Sequence, residues 1–410
     1  MGARTTIRTY QVAARLWLTA AVLTLALPGS ARLGVWLPLH LAMAGAVSVA
    51  IAGAMQNFAL TLTAAPGPPA WVVFVQFVGV NAGALLVAIG YPSRHLALLA
   101  WGGAGFVAAA LVLGWLVVRA WRIGLNRRHR LPLALYLAAV TAVLVGGTFG
   151  ALVGSGVWDD PALWGRLRSA HLTLNVLGWV TLTMAATLVT LLPTVLRVRM
   201  PSWHGAATGV ALALGVAAMA GGLAAASSVL ATVGGVTFAV GAIGIGWMVL
   251  KVVRTPRTWP VPVAGKHLIL ALGWFLVGSL LLPFVLAGGT TSFARFRELF
   301  LAIFIGGWAL QTLLGAWQYL LPMAKPGHPD ERRRQLAAIE FAGTLQVVAL
   351  NVGLVLLTTS GAGWVGETTG AVGAGLALGG GILALAKAWA FGPLSRAPVL
   401  SSRHLDVWGA

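Results

Sequence analysis

The sequence predicts an all-α polytopic membrane protein, with twelve transmembrane helices arranged in three parallel four-helix repeats. Composition gives the class, because 59% of the 410 residues are hydrophobic and only 9% are charged, whereas soluble domains carry about 25% charged residues. No segment shows the ten-residue alternation of a membrane β-barrel. An all-helical structure is the remaining possibility, since a chain that crosses lipid must satisfy its own backbone hydrogen bonds.

A membrane-spanning helix needs about 20 consecutive apolar residues, and twelve segments of the chain meet this requirement. In chain order they are 11–28, 36–63, 70–91, 95–118, 131–157, 169–194, 204–226, 228–250, 263–288, 298–322, 336–359 and 368–391. The connections between them are short, and the whole chain, 1–410, is predicted to be one integral membrane domain.

Internal landmarks recur at a fixed step. His171 and Phe300, Gly178 and Gly307, and Pro193 and Pro322 are each 129 residues apart. Repetition at a fixed period indicates repeated structural units, here 1–130 (helices 1–4), 131–259 (helices 5–8) and 260–410 (helices 9–12). Each unit contains an even number of spans, so the units share one orientation and are related by a pseudo-threefold axis along the membrane normal.

The formal charge of +19 is distributed unevenly. Under the twelve-helix topology 21 of the 27 Lys and Arg residues fall on one side, and positive loops stay in the cytoplasm. Both termini are therefore predicted to be cytoplasmic, and the first helix is interpreted as retained rather than as a cleaved signal peptide. The basic loops then face the anionic lipid bilayer surface, so a nucleic-acid partner is not expected.

The chain contains no cysteine. This excludes disulfides, c-type haem attachment, iron–sulfur clusters and a Cys-ligated blue copper site. Any bound metal must use nitrogen, oxygen or methionine ligands.

Histidines divide into two groups. Five are interpreted as solvated residues in or beside cytoplasmic loops: His129, His204, His267, His328 and His404. The other three, His40, His95 and His171, start the helices that run inward from the outer side, and His95 is interpreted as an interfacial anchor.

His40 and His171 are 131 residues apart, at nearly equivalent positions of helices 2 and 6. Two imidazoles at one depth on neighbouring helices can serve as axial haem ligands or hold a copper ion. The alternative is a pair of interhelical hydrogen bonds. Asn175 lies one turn beyond His171 on the same helix face, where it either orients the imidazole or makes an interhelical amide bond.

Structural roles are predicted for several other polar residues. Asn81 and Asn351 recur in repeats one and three, each two residues before a glycine, and are interpreted mainly as helix locks. Glu340 is expected to pair with a base among Arg332 to Arg334, and Lys387 to extend its amine toward the membrane surface.

The segments His40-Leu-Ala-Met-Ala-Gly45 and Ala170-His171-Leu-Thr-Leu-Asn175-Val-Leu-Gly178-Trp179 resemble the haem-copper oxidase subunit I superfamily. They resemble its degenerate NnrS-like relatives more closely, and also the membrane part of some bacterial multicopper oxidases with fused cupredoxin domains. The resemblance implies twelve helices, haem b or copper as cofactor, and location in the bacterial inner membrane. Its helix-2 haem ligand would be His40 and its helix-6 metal ligand His171.

The chain departs from that pattern, because helix 10 has no histidine and helix 7 has only His204. Terminal oxidase activity is therefore not expected. The resemblance implies a haem- or copper-binding protein acting in electron transfer, metal handling or the response to nitrogen oxides, with a cupredoxin or multicopper oxidase as redox partner. The alternative is a membrane transporter without haem, or a scaffold subunit.

Overall fold

The computed structural model describes residues 3–126, 128–156, 160–324 and 329–390. All regular secondary structure within these ranges is helical, and eleven helices there are long and apolar enough to cross a membrane. The large hydrophobic residues on the outside of the bundle, such as Trp101 and Phe284, fit a surface in contact with lipid. The predicted all-α membrane class is thus confirmed.

Within the described residues, twelve long helices run along the bundle and are named here in chain order. They are Ala3–Thr24 (α1), Trp36–Thr63 (α2), Ala70–Gly90 (α3), Leu96–Ile123 (α4), Arg130–Ser155 (α5), Pro161–Leu196 (α6), Gly205–Ala224 (α7), Ser228–Arg254 (α8), Val263–Ala287 (α9), Arg297–Met323 (α10), Gly343–Gly361 (α11) and Glu367–Ala390 (α12). Short helices at Gly289–Arg295 and Pro329–Glu340 precede α10 and α11.

Three predicted segments differ most from the observed helices. Helix α1 begins before residue 11 and ends before 28, and it is the one long helix too polar to count among the eleven. Helix α6 begins at Pro161 rather than at 169, because Asp160 caps its first turn by accepting a 2.8 Å hydrogen bond from the Ala162 amide. Segment 336–359 is broken at Ala342, whose φ of 51° is left-handed and separates α11 from the short helix before it. Hydropathy marks apolar sequence, whereas a helix continues through polar residues.

Helices α2, α6 and α10 occupy the centre of the bundle. In an apolar stretch of 18 residues from each of these helices, 67%, 89% and 67% of the stretch is buried, against 28–50% for the other membrane-length helices. Each contains a π-helical stretch, namely Leu41–Val47, Leu174–Leu182 and Leu301–Leu310. Such stretches are rare in proteins, and those that occur often lie at functional sites.

Each π-helical stretch holds a glycine against the long helix that precedes it. A Cβ added to Gly45, Gly178 or Gly307 would lie 2.6, 2.4 and 2.4 Å from Trp17, Ala142 and Trp274, respectively. Gly178 and Gly307 thus face α5 and α9 in the same way that Gly45 faces α1.

Glycine also closes three helical hairpins, α3–α4, α7–α8 and α11–α12. A Cβ on Gly83, Gly222 or Gly353 would lie 2.6, 2.3 and 2.3 Å from a backbone nitrogen of the partner helix. Small residues allow membrane helices to approach this closely. These hairpins contain the third and fourth helix of each predicted repeat.

The bundle closes where the first helix meets the last. Arg15 of α1 is fully buried, donates a 2.7 Å hydrogen bond to the Ala388 carbonyl near the end of α12, and stacks on Trp389. The last carbonyls of a helix have no intrahelical partner and carry partial negative charge, so this guanidinium caps the end of α12.

Candidate functional site

His40 is held by its own helix. It is the last residue before the π-helical stretch of α2, and its Nδ1 lies 2.8 Å from the Trp36 carbonyl oxygen. The imidazole stacks on the Trp36 ring at 4.0 Å between centroids, and Trp36 stacks in turn on Tyr91 at 4.4 Å. An N–H at Nδ1 donates to the carbonyl, which leaves the lone pair of the neutral ring on Nε2.

His171 is held by the neighbouring helix. Its Nδ1 lies 2.7 Å from the Gly146 carbonyl oxygen of α5. The ring packs on Gly150, where an added Cβ would lie 2.5 Å from Cε1, so glycine makes the room for the imidazole. An Nδ1–H donor again leaves the lone pair on Nε2.

Asn175 is the predicted neighbour of His171, and the structure brings the two together. Its Nδ2 donates a 2.8 Å hydrogen bond to the His171 carbonyl oxygen and lies 3.1 Å from Nδ1. Since Gly146 already takes the Nδ1 proton, the bond to the carbonyl is the one that Asn175 can complete. Asn175 therefore fixes the backbone from which the imidazole projects.

The two imidazoles, called the histidine pair below, lie at the end of the bundle where α1, α3 and α5 end. They are near enough to interact electrostatically with one another and with Arg168, which also interacts with Arg297. The Arg168 guanidinium is placed over the Trp164 ring at 4.9 Å. This end of the site is therefore positively charged.

The possible metal-binding atoms of the site indicate which cofactors it could hold. A ligating histidine normally donates its other ring N–H to a carbonyl or carboxylate, which fixes tautomer and orientation, and both histidines show that arrangement. Two axial imidazoles suffice for a haem iron. In the described residues no group of three or more His, Cys, Asp and Glu side chains is placed to hold a metal ion.

The equivalent place in α10 is apolar. Phe300 directly precedes the third π-helical stretch and packs on Phe293 and Phe304, at 5.4 and 4.8 Å between ring centroids. The third central helix thus contributes an aromatic wall where the other two contribute imidazoles.

The remaining predicted residues are placed as follows. His95 is exposed and caps the start of α4, and His204 is exposed before α7, while His328 and His404 lie outside the described residues. Asn81 and Asn351 accept hydrogen bonds of 2.8 and 2.9 Å from Trp17 and Trp274, so both join helices.

Three polar residues lie in environments that the sequence did not predict. His267 is not a solvated loop residue but is fully buried in α9. The Glu340 carboxylate accepts hydrogen bonds of 2.9 and 3.2 Å from the Val263 amide and caps the start of α9, and it forms no ion pair with the described side chains of Arg333 and Arg334. Lys387 is buried and donates to the Ile339 and Phe341 carbonyls. His267 is four residues inside an apolar segment, which is the signal that could have identified it.

Comparison with known proteins adds no family. No protein-family model matches the chain, and no curated protein matches it.

Proposed function

We propose that this protein is a haem- or copper-binding integral membrane protein, in which His40 and His171 hold one cofactor between α2 and α6. One observation carries the proposal: both imidazoles anchor Nδ1 on a backbone carbonyl and keep the Nε2 lone pair for a ligand. A purely structural pair has no need to present two free lone pairs at one depth of the bundle.

Haem is favoured over copper by two features of the site. The pair supplies the two nitrogens that a six-coordinate haem needs, without a third ligand. Arg168 places positive charge beside the pair, and Arg297 interacts with Arg168; such charge suits the carboxylates of haem b. When bound, such a group would supply one-electron redox chemistry, and the role would be electron transfer, metal handling or the response to nitrogen oxides. A cupredoxin or multicopper oxidase is the proposed redox partner.

The proposed fold has twelve transmembrane helices in three parallel repeats, with both termini in the cytoplasm of a bacterial cell. The three glycine hairpins and three π-helical stretches recur once in each unit of 1–130, 131–259 and 260–410. Their recurrence supports the repeat, and the uneven distribution of Lys and Arg supports the orientation.

A transporter without haem is the second candidate, favoured by buried polar groups in α1, α2 and α3. The Tyr10 hydroxyl bonds to Gln76, and Gln56 Nε2 lies 3.1 Å from Tyr10 Oη and 3.2 Å from Gln76 Oε1. Buried polar groups inside a membrane bundle mark solute pathways in other proteins.

The test is a visible spectrum with metal analysis of the purified protein, followed by His40→Ala and His171→Ala. We expect a haem absorption in the unmodified protein that each substitution reduces or abolishes. His95→Ala is the matched control, because His95 lies at the same end of the bundle but is exposed, and it should leave the spectrum unchanged. Copper without haem would select the copper form of the proposal. Neither cofactor in the unmodified protein, or equal content in all four proteins, would contradict it.

A further inference from the structure

A shallow groove opens on the outside of the bundle between α9 and the start of α10, at the end that contains the histidine pair. Its walls come from the last three turns of α9, from Phe293 and Phe296 before α10, and from the first two turns of α10. All its lining side chains are apolar. Leu281 and Phe296 in its walls are 40% and 38% exposed, so the groove faces the surroundings of the bundle.

A lipid acyl chain is the occupant that a bilayer supplies to such a groove. A gap between protein and lipid deprives the lining atoms of dispersion contacts on one side, and apolar walls offer water no hydrogen-bond partner. The groove follows α10 from Phe296 to Phe304, which is roughly 10 Å at the rise of a helix. One leaflet contains about 15 Å of hydrocarbon, so a chain lying along the groove would contact it through most of the leaflet.

Guanidinium groups lie beside the groove at its outer end. Arg295 and Arg297 flank Phe296 in the chain, and α10 begins at Arg297, which places both arginines at the level where lipid headgroups begin. Arg297 interacts electrostatically with Arg168 of α6. Glu298 is the adjoining acidic residue, but within the described residues no ion pair joins a carboxylate to any of these three arginines. The outer end of the groove therefore carries net positive charge.

Positive charge on this side of the membrane calls for an explanation, because Lys and Arg residues favour the cytoplasmic side. The predicted topology places only six of the 27 on the outer side. Four of those six are Arg166, Arg168, Arg295 and Arg297, which belong to two segments that pack together. Neighbouring like charges repel one another, and an anion between them relieves the repulsion. A phosphate fits this role, since guanidinium binds it through paired N–H donors.

We propose that the groove between 278–285 and 293–304, called the lipid groove below, binds one anionic phospholipid of the outer leaflet. An acyl chain lies along the apolar walls, and the phosphate is bound by Arg295 and Arg297. A zwitterionic lipid would bring a cation beside the same guanidinium groups, so a lipid with net negative charge is preferred. An acidic soluble protein is the competing partner for the arginines, but the apolar walls lie at the depth of hydrocarbon, which such a protein does not reach. The lipid groove does not depend on a bound cofactor.

The absence of cysteine from the chain allows a fluorophore to be attached at single positions. Leu281→Cys lies in the lipid groove, and the control Leu280→Cys is its exposed neighbour outside the groove. Each full-length variant would be labelled with bimane and reconstituted in phosphatidylcholine nanodiscs. Increasing fractions of phosphatidylglycerol or of phosphatidylcholine, each with a nitroxide on an acyl chain, then act as quenchers. At Leu281→Cys the anionic quencher should reach half-maximal quenching at about fivefold lower mole fraction than the neutral one, whereas at Leu280→Cys the two should act alike.

Substitution of the arginines tests the headgroup contact. Arg295→Gln combined with Arg297→Gln should abolish the preference at Leu281→Cys, while Arg94→Gln, an exposed arginine on the same predicted outer side, should preserve it. Equal quenching by both lipids at Leu281→Cys, or a preference that survives the double substitution, would overturn the proposal. The first of these results would leave the arginines to an acidic soluble protein.

A second measurement uses the unlabelled protein, in case the fluorophore distorts the groove. In native mass spectrometry after equal exposure to phosphatidylglycerol, the unsubstituted protein and Arg94→Gln should each retain one lipid more than the double arginine variant. The same number of retained lipids in all three proteins would show that the arginines hold no lipid.

Discussion

Buried tryptophan side chains fasten the three central helices to one another at single hydrogen bonds. Trp179 of α6 donates a 2.9 Å bond to the Ser48 hydroxyl of α2, and Trp308 of α10 donates a 3.0 Å bond to the Thr181 hydroxyl of α6. Ser48 and Thr181 each donate onward to the carbonyl five residues earlier, within a π-helical stretch. The indole bonds therefore tie the wide turns of neighbouring helices together.

Trp308→Phe should destabilise the protein by about 0.6–2 kcal/mol, because it removes an interhelical hydrogen bond and leaves the Thr181 hydroxyl without its donor. The measurement is the free energy of unfolding in mixed micelles. Trp101→Phe is the control with the same chemical change, since Trp101 is 73% exposed on the outside of the bundle, and it should have little effect. A Trp308→Phe protein as stable as the control would show that this bond contributes nothing.

At the scale of elements, glycines set the distance between paired helices. In α7, Gly222 meets the backbone of α8, where an added Cβ would lie 2.3 Å from the Ala231 nitrogen, whereas its neighbour Gly221 has open space around it. Backbone cannot move aside as a flexible side chain can. The two adjacent glycines therefore separate the packing role of glycine from its effect on helix propensity.

Gly222→Ala should destabilise the hairpin by roughly 1–3 kcal/mol through overpacking. Gly221→Ala should be neutral or stabilising by up to about 1 kcal/mol, because alanine favours helix more than glycine does. The two variants would be compared by thermal unfolding followed by circular dichroism. The close approach of α7 and α8 would be contradicted if Gly222→Ala were the more stable of the two.

At the scale of the whole molecule, the described helices form a closed bundle, with α2, α6 and α10 inside and the glycine hairpins outside. The contact of Arg15 with the end of α12 joins the two termini of the described chain at one end. That end also contains the basic connections, such as Arg197 and Arg254 beside the ends of α6 and α8. An orientation with this end in the cytoplasm agrees with the charge of those connections.

Reporter fusions test this orientation. Fusions after Ser202 and Lys325 should report a cytoplasmic location, and a fusion after Asp160 should report the outside, because the retained Lys and Arg residues resist translocation. The paired use of a reporter active inside and one active outside provides the control at each point. An outside signal after Lys325 would contradict the arrangement of three repeats with one orientation.

The sequence by itself determined the class of the protein and most of its helices. Segment 36–63 was predicted to the residue, and α3, α7, α9 and α12 to within two residues, because each is bounded by polar residues or turn-forming glycine and proline. The 131-residue spacing of His40 and His171 likewise predicts matching positions on α2 and α6, and the pairing itself stays a prediction. Periodicity and hydropathy are properties of the chain alone.

Tertiary contacts decided which polar atoms are bonded. Gly146 and Gly150 hold His171 from a different helix, and Gln346, distant in sequence, bonds to His267. The apolar segment around His267 indicates its burial, but neither partner leaves a trace in local sequence, because hydropathy averages over a window while a hydrogen bond depends on two specific atoms.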